Sequence, residues 1–475
     1  MSNKKFNLKP LLSAESIAMV GASEKNFFSM MIFQNLNKLG YAGKVFPINP
    51  KYQELGGYTC YPSLKDLPEA PDTVLIMTRR DLVKSMIEQA IDIGAKSATI
   101  VSAGFTETGD PHWTQAEQEI RQLAYDNDFP ICGPNCLGIF SVREHLATMA
   151  APIRGGVIEG NVGLVMQSGG MMLGLTFPFY QRRIGLTYAI STGNSTVLDV
   201  SDYMEYLVED EATKVLCVFI EGIRKMDKFV QAAEKALKAK KPIIALKTGS
   251  SERGKRSTMA HTASVAGDND EINTIFRKYG VIRVSDFDEL LEAASIFSRF
   301  ADIGRLPEAN GMCYLSASGG ACGLLSDLSE NLNVPLPELL PETQKALADI
   351  FPAGGFIANP VDATGQILND LAAYRKALEI IKSDPQIGIV ISFETVGFPS
   401  NDTPTHQKRL LNTIEMCKEL DIPLVSCSLS PHALDEWQCD LLMKEKSFAF
   451  VQGAGKSLRV VNFLLQYAQF LRDQK

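Results

Sequence analysis

One of the five histidines of the chain, His261, lies in a polar segment of small residues, RSTMAHTASVAGDND, at positions 256–270. An imidazole is a competent nucleophile when a carboxylate orients one of its nitrogens. The segment from Thr248 to Asp270 is rich in Gly, Ser, Thr and charge, and long loops of this kind in compact domains are usually functional or disordered. The small neighbours leave room for a large group to reach the ring. The alternative is a capping or surface histidine.

A carboxylate for this histidine is available at Glu221, which ends the apolar run VLCVFIEG. The carboxyl ends of parallel strands border the crevice in which ligands bind. We therefore expect Glu221 to face His261. In the alternative interpretation Glu221 is a solvent-exposed residue or the ion-pair partner of Arg224.

Two further stretches share one pattern, VMQSGGMMLG and YLSASGGACG, in which Ser-Gly-Gly follows a strand and begins a helix. The free N–H groups of a helix N-terminus, together with a serine hydroxyl, form a site for an anion. Two such helix starts converging on one phosphoryl group would make a strong cradle. The alternative is that the glycines only permit a tight turn. The residues concerned are Ser168, Gly169 and Gly170, and Ser318, Gly319 and Gly320.

Three familiar nucleotide motifs are incomplete. In MVGASEKN the second and third glycines of the dinucleotide fingerprint are missing after Gly21, and Phe27 and Phe28 fill the turn. A nicotinamide-dependent oxidoreductase is therefore disfavoured, although a strand-end loop can hold another phosphate-bearing nucleotide. GSSERGKR has Arg256 where a P-loop needs Ser or Thr, and GAGKS has Phe450 where its first glycine belongs.

Short apolar runs alternate with helical patterns along the whole chain, which predicts parallel sheets with crossover helices. We expect an α/β protein of three domains. A Rossmann-like domain covers residues 1–150, a flavodoxin-like domain with the His261 loop covers 151–302, and a second flavodoxin-like domain covers 303–475.

Composition excludes several other classes. The 475 residues carry a net charge of −8, which argues against a nucleic-acid surface. There is no apolar run of the roughly 18–20 residues that a membrane helix needs, and no signal-peptide pattern, so we expect a cytoplasmic protein. The nine cysteines are scattered; we expect buried free thiols rather than disulfides or a metal site.

Taken in order, the motifs VGAS, NPK, SAGF, GPNCLG, QSGG, IEG, AHTASVAG, SGGACG and NPVDATG resemble those of the alpha subunit of NDP-forming acyl-CoA synthetases, in the succinyl-CoA synthetase superfamily. The resemblance runs from about Leu11 to the C-terminus. It implies a CoA-binding domain followed by two ligase domains, with His261 as the phosphorylated residue, Glu221 as the carboxylate that steadies it, and both Ser-Gly-Gly turns facing phosphate. The CoA positions it implies are Gly21, Ala22, Ser23, Glu24, Lys51, Ser102, Ala103 and Gly104.

The resemblance also implies the reaction. ATP phosphorylates the histidine, the phosphoryl group passes to a carboxylic acid, and CoA displaces phosphate from the acyl phosphate to give the thioester. The three units fill the chain, so we expect a separate ATP-grasp beta subunit, in an αβ or α2β2 assembly, to hold most of the ATP and Mg²⁺ contacts.

Two departures from the family pattern are visible. EKNFFSMM is bulkier than the usual Pro and Gly of the CoA loop, and Ala263 replaces the glycine of the common HTGS. The first departure motivates the alternative of a non-catalytic CoA-binding or CoA-sensing homologue. The acid, and the choice of ATP or GTP, are not encoded in any motif of this chain.

Overall fold

The computed structural model describes residues 4–256, 269–351, 357–365, 370–393 and 404–474. Contacts divide the chain into two compact units. The first comprises Met1–Tyr180 with Gly185–Ser285, and the second Gln181–Ile184 with Asp286–Lys475. In the parts of the chain that the structure describes, no helix has the length and apolar character to cross a membrane.

The first unit contains a parallel sheet of short apolar strands. They are β1 (Ser16–Val20), β2 (Lys44–Ile48), β5 (Thr73–Ile76), β6 (Ala98–Ile100) and β7 (Ile131–Cys132), with a separate hairpin of β3 (Glu54–Leu55) and β4 (Tyr58–Thr59). In the order β2-β1-β5-β6-β7, strand β2 lies on one side of β1 and the later strands lie on the other side. In a sheet of this kind the ligand crevice opens at the carboxyl ends of the two strands where the order switches, β1 and β5. Strand β1 is buried at every position, as expected of a sheet covered on both faces. The helices are Lys9–Leu12, Phe27–Leu39, Val83–Asp92 and Pro111–Asp126.

A second sheet completes the first unit. Its strands are β8 (Gly138–Ser141), β9 (Leu146–Ala147), β10 (Glu159–Met166), β11 (Leu186–Ser191), β12 (Val215–Ile220), β13 (Ile243–Lys247) and β14 (Ile282–Val284). The order is β14-β13-β12-β10-β11-β8-β9, with β8 and β9 antiparallel to their neighbours. Its helices are Gly169–Gln181, Val200–Glu209, Met226–Lys238 and Asn269–Lys278.

The second unit holds a third, parallel sheet. Its strands are β15 (Gly311–Ser316), β16 (Val361–Asp362), β17 (Ile387–Ser392), β18 (Leu424–Ser428) and β19 (Phe448–Gln452), in the order β16-β15-β17-β18-β19. The helices are Phe287–Ile303, Gly319–Leu332, Pro341–Ala348, Leu371–Ser383, Pro404–Glu419, Glu436–Lys444 and Ala454–Asp473. The α/β class with Rossmann-like and flavodoxin-like sheets is as the sequence predicts.

The grouping of elements differs from the predicted boundaries at two places. Strands β8 and β9 precede residue 150, yet β8 pairs with β11 of the second sheet. Helix Phe287–Ile303 precedes residue 303, yet it belongs to the second unit, where Asp286 pairs with Lys456 at 2.6 Å. Both differences arise from pairing between distant segments, which local patterns do not carry. The three domain ranges themselves stay predictions.

All nine cysteines lie among the described residues, and all are free and buried, which confirms the expectation of free thiols. Burial raises the pKa of six of them, Cys60, Cys217, Cys313, Cys322, Cys417 and Cys427.

Candidate functional site

Gly21 follows β1 at the switch point of the first sheet. Its backbone is left-handed, with φ of +84°, and a Cβ placed on it would lie 2.8 Å from the carbonyl oxygen of Met77. Because only glycine tolerates both conditions, the end of β1 can approach the end of β5 closely. This brings the predicted CoA loop to the crevice between the two strands.

The rest of this loop is held by polar contacts. Asn26 caps helix Phe27–Leu39 by accepting the N–H of Phe28 at 3.0 Å, and its amide donates to the carbonyl of Gly21 at 3.2 Å. Asn49 donates to the carbonyl of Ala22 at 2.8 Å and accepts the backbone N–H of Lys51 at 3.0 Å. The loop after β2 is thereby tied to the loop after β1.

Side-chain exposure in this loop is uneven. Ala22 is buried and Ser23 is half-buried, whereas Glu24 and Lys51 are exposed. Phe27 and Phe28 are also exposed, by 60% and 43%, and their rings meet edge to face. The two phenylalanine rings of EKNFFSMM are therefore largely at the surface and are not part of the core.

Ser102, Ala103 and Gly104 follow β6 on the same edge. The hydroxyl of Ser102 donates to the carbonyl of Thr78 at 2.7 Å. Gly104 has φ of +102°, and its carbonyl accepts a hydrogen bond of 2.7 Å from Arg80, whose guanidinium stacks on Trp113 at 3.9 Å. The structure thus brings the predicted CoA residues of β1, β2 and β6 together around the end of β5.

Backbone donors in this last loop are already used. Glu107 accepts the N–H of Gly104 at 2.5 Å and that of Phe105 at 3.1 Å. Glu117, which is 3% exposed, accepts the N–H of Thr106 at 3.0 Å. The chain supplies its own carboxylates to these donors, so the N–H groups of Gly104, Phe105 and Thr106 are not free to bind a ligand.

In the second sheet, Ser168 lies two residues after the end of β10, and Gly169 begins helix Gly169–Gln181. The Ser168 hydroxyl accepts the N–H of Met171 at 3.4 Å. Gly170 is exposed, and a Cβ on it would meet no described heavy atom within 4 Å. A helix start with open space over its glycine is suited to an anion.

Glu221 lies next to this helix start. The side-chain oxygen of Gln167 accepts the N–H of Glu221 and, at 3.0 Å, that of Gly222, while the Gln167 amide donates to the Gly222 carbonyl at 2.7 Å. One side chain therefore fixes the turn after β12 against the residue that precedes Ser168. Glu221 and Ser168–Gly170 consequently share one edge of the second sheet.

A buried lysine adjoins this edge. Lys247 ends β13, is 5% exposed, and donates to the carbonyls of Glu221 at 2.9 Å and Thr248 at 2.5 Å. Burial lowers its pKa to about 8; the charge of Arg283 lowers it further and the charge of Glu221 opposes the shift. Lys247 therefore places a positive charge at the carboxyl end of β13, the last described strand before His261 in the sequence.

His261 itself lies outside the described residues. The chain is described as far as Arg256 and again from Asn269, in helix Asn269–Lys278 of the same unit. The predicted contact between His261 and Glu221 stays a prediction.

The second Ser-Gly-Gly turn lies in the second unit. Ser318 caps helix Gly319–Leu332 by accepting the N–H of Ala321 at 3.4 Å. A Cβ on Gly319 would lie 2.7 Å from a carboxylate oxygen of Asp362, the last residue of β16. Both turns thus have the predicted strand-to-helix geometry, and convergence of the two on one phosphoryl group stays a prediction.

Sequence reasoning did not assign roles to Gln167, Lys247 or Asp362. Each carried a weak signal: Gln167 immediately precedes Ser-Gly-Gly, Lys247 closes the apolar run PIIALK, and Asp362 stands in NPVDATG. None of the three signals separates a site residue from an ordinary strand-end residue.

Comparison with known proteins gives this arrangement a class. Residues 15–141 match a CoA binding domain, and residues 159–297 match a succinyl-CoA ligase like flavodoxin domain. A solved acetyl-coenzyme A synthetase 1 of Candidatus Korarchaeum cryptofilum, in complex with phosphate and ADP, superposes with a TM-score of 0.82 at 25% identity, covering 98% of each chain. The chain thus combines a CoA-binding domain with a flavodoxin domain of the succinyl-CoA ligase type.

Two curated relatives refine this class. The alpha subunit of the ADP-forming acetate–CoA ligase II of Pyrococcus furiosus is 31% identical over 402 residues, covering 84% of this chain and 85% of that one. The ADP-forming acetate–CoA ligase I of Archaeoglobus fulgidus is 29% identical over 471 residues, and this chain, matched over 98% of its length, spans 65% of that protein. The chain belongs to the family of ADP-forming acyl-CoA synthetases.

Proposed function

We propose that this chain is the alpha subunit of an ADP-forming acid–CoA ligase, which interconverts a carboxylic acid, CoA and ATP with acyl-CoA, ADP and phosphate. The observation that carries the proposal is the position of Glu221 beside the Ser168–Gly170 helix start. The side chain of Gln167 fixes this position at one edge of the sheet. A carboxylate beside an anion-binding helix start is what a phosphohistidine intermediate requires.

In this proposal His261 is the nucleophile that accepts the phosphoryl group. The Glu221 carboxylate orients the imidazole and stabilises the positive charge that develops on it. The N–H groups at Ser168–Gly170, and those at Ser318–Gly320, bind the phosphate oxygens. The acid attacks the phosphorus and releases the imidazole, and the CoA thiolate then attacks the acyl carbon and expels inorganic phosphate.

The CoA site in this proposal is the crevice at the end of β1 and β5. Gly21, Ala22, Ser23 and Glu24 form one wall, Lys51 supplies a positive charge for phosphate, and Ser102–Gly104 form the other wall. The polar ties among these loops support the assignment, because they hold the walls in place before a ligand arrives.

A partner chain completes the enzyme. We propose an ATP-grasp beta subunit that holds ATP and Mg²⁺, in an αβ or α2β2 assembly. Support comes from the Pyrococcus furiosus relative, which is named as an alpha subunit, and from the additional length of the Archaeoglobus fulgidus protein. The substrates ATP and CoA would place the reaction in the cytoplasm.

The test is transfer of phosphate to His261. The chain is co-purified with its partner and incubated with γ-labelled ATP and Mg²⁺; an acid-labile label on His261 is expected, absent from His261→Ala. Acetate and CoA should then discharge the label and form acetyl-CoA. Binding of CoA by calorimetry without label on the intact complex would contradict the proposal and support the non-catalytic homologue.

A further inference from the structure

A hydrogen-bonded junction links the predicted CoA loop to the second sheet within the first unit. The side-chain amide of Asn194, in the loop after β11, donates to Glu107 at 2.6 Å and to Glu117 at 3.0 Å. The hydroxyl of Thr196 donates to the other oxygen of Glu117. These are the same two carboxylates that accept the N–H groups of residues 104–106.

The carboxylates of Glu107 and Glu117 therefore connect the loop after β6 to the loop after β11. On one side they satisfy three consecutive backbone donors of the loop after β6, and on the other they accept the donors of Asn194 and Thr196. Because Glu117 is 3% exposed, its charge is stabilised by these hydrogen bonds more than by water. Hydrogen bonds to ionised groups are roughly twice as strong as neutral ones, so the distance between the two loops is closely held.

The same junction reaches the phosphate-facing helix start. The backbone N–H of Asn194 donates to the carbonyl of Pro134 at 2.9 Å, and Asn135 donates its own N–H to the carbonyl of Ser102 at 3.0 Å. Three residues before Asn194, the Ser191 hydroxyl accepts the N–H of Leu137 at 3.1 Å.

Leu137 then meets the helix start itself. Its Cγ would lie 2.6 Å from a Cβ on Gly169, so the leucine packs directly over that glycine. A continuous chain of contacts thus runs from Gly104 through Asn194 to Gly169.

We propose that Asn194 is a positioning residue that sets the separation between the CoA loop and the Ser168–Gly170 phosphate site. The inference rests on the proposed function, in which the CoA thiol must reach an acyl phosphate held at that helix start. Asn194 touches neither substrate. It acts by holding residues 104–106 at the distance at which sulfur meets the acyl carbon.

This role predicts a defect in one half of the reaction. Loading of His261 from ATP and transfer of the phosphoryl group to the acid do not involve the CoA loop, whereas discharge of the acyl phosphate by CoA does. In Asn194→Ala, loading should proceed at the wild-type rate. Discharge of the acyl phosphate by CoA should slow roughly 10- to 100-fold, since a misplacement of about 1 Å can lower a rate by about 100-fold.

The experiment measures both half-reactions on the complex with its partner subunit. Labelled phosphoenzyme is formed with γ-labelled ATP to measure loading, and discharge is then followed as formation of acetyl-CoA after addition of acetate and CoA, over a range of CoA concentrations. Asn194→Asp, which keeps the size and loses the donor, should reproduce the defect. Glu107→Gln, which weakens the other side of the junction, gives a second variant in case Asn194 variants fail to fold.

Asn35→Ala is the matched control. Asn35 is a buried asparagine that donates to the carbonyls of Met149 at 2.9 Å and Ala151 at 2.8 Å, outside the junction. It should lower the melting temperature and leave the ratio of loading to discharge rates unchanged. Equal loss of loading and discharge in the Asn194 variants, or no loss in either, would overturn the inference. Absence of label on the wild-type complex would instead refute the proposed function.

Discussion

Gln167 holds Glu221 in place: a single side-chain oxygen accepts the backbone N–H of Glu221 and of Gly222, across two neighbouring strands. The carboxylate proposed to orient His261 therefore sits on a turn whose position is set from the residue beside Ser168. A carboxylate that orients a catalytic histidine needs such supporting hydrogen bonds to hold its own position.

Replacing Gln167 by Ala removes three hydrogen bonds to this turn, each with a net value of about 0.5–1.5 kcal/mol. We expect phosphorylation of His261 to slow about tenfold, which corresponds to roughly 1.4 kcal/mol, measured by single-turnover labelling on the complex. Gln167→Glu keeps the two acceptor contacts and should retain most of the rate. Identical rates for wild type and Gln167→Ala would contradict the role of this side chain.

Gly21→Ala should impair CoA binding. The new methyl group would lie 2.8 Å from the Met77 carbonyl, in a backbone with φ of +84°, and would force β1 and β5 apart at the crevice. We expect the KM for CoA to rise at least about tenfold, because a shift of about 1 Å is costly at a positioned site.

Gly57 offers a control with the same φ of +84° in the hairpin turn, where a Cβ meets no described heavy atom within 4 Å. Gly57→Ala carries the backbone strain of about 1–2 kcal/mol without the collision. It should lower stability and leave the KM for CoA near the wild-type value. Equal KM changes in the two variants would exclude the close approach as the cause.

Lys247 should make stability depend on pH in the alkaline range. Its pKa is about 8 in the folded chain because of burial and the charge of Arg283, against 10.5 ordinarily. Between these values the unfolded chain binds the proton that the folded chain has lost, so stability rises with pH across that window, and the burial penalty is fully present below about pH 8.

The measurement is urea unfolding of wild type and Lys247→Met between about pH 7 and 10, roughly the range in which a buried lysine titrates. The stability of wild type relative to Lys247→Met should increase with pH above about 8. Lys238→Met, which changes a lysine whose side chain is 73% exposed, should show a difference from wild type that is constant with pH. A constant difference for Lys247→Met as well would refute the depressed pKa.

The buried ion cluster on the helices that cover the second sheet should contribute strongly to the free energy of unfolding of the first unit. The Asp202 carboxylate is fully buried and pairs with Lys225 at 2.8 Å and with Lys228. Asp202→Ala removes the carboxylate that the two ammonium groups share, although Lys228 keeps its longer pair with Glu205 at 3.5 Å, and should lower the unfolding free energy by about 3–5 kcal/mol. Glu234→Ala, which breaks the exposed pair with Lys238, should have a much smaller effect, because surface salt bridges contribute little to stability. Similar urea midpoints for the two variants would contradict this difference.

Most of the fold could be predicted from the sequence because its strands are short apolar runs bounded by polar turns. The pattern SIAMV predicted β1, and SMMIFQNLNKLG predicted most of helix Phe27–Leu39. The pair β8 and β9 was not predicted as part of the second sheet, because antiparallel pairing of β8 with β11 is a contact over about 50 residues that periodicity does not encode.

Part of the candidate site could also be predicted from the sequence. Glu221 and the Ser-Gly-Gly turns follow strands, and strand ends on parallel sheets mark ligand sites. The supporting residues were not predictable, because Gln167 contacts the backbone of a segment 54 residues away, and Asn194 contacts side chains 77 and 87 residues away. Such contacts leave no spacing pattern.

The burial of the nine cysteines has a consequence for a chain proposed to handle activated acyl groups. The acyl group of an acyl phosphate or a thioester transfers readily to a protein thiolate, with release of phosphate or of the thiol. All nine cysteines are buried, and burial raises the pKa of six of them further above neutral. The chain therefore presents no exposed thiol to an activated acyl group, which disfavours acylation of its own cysteines.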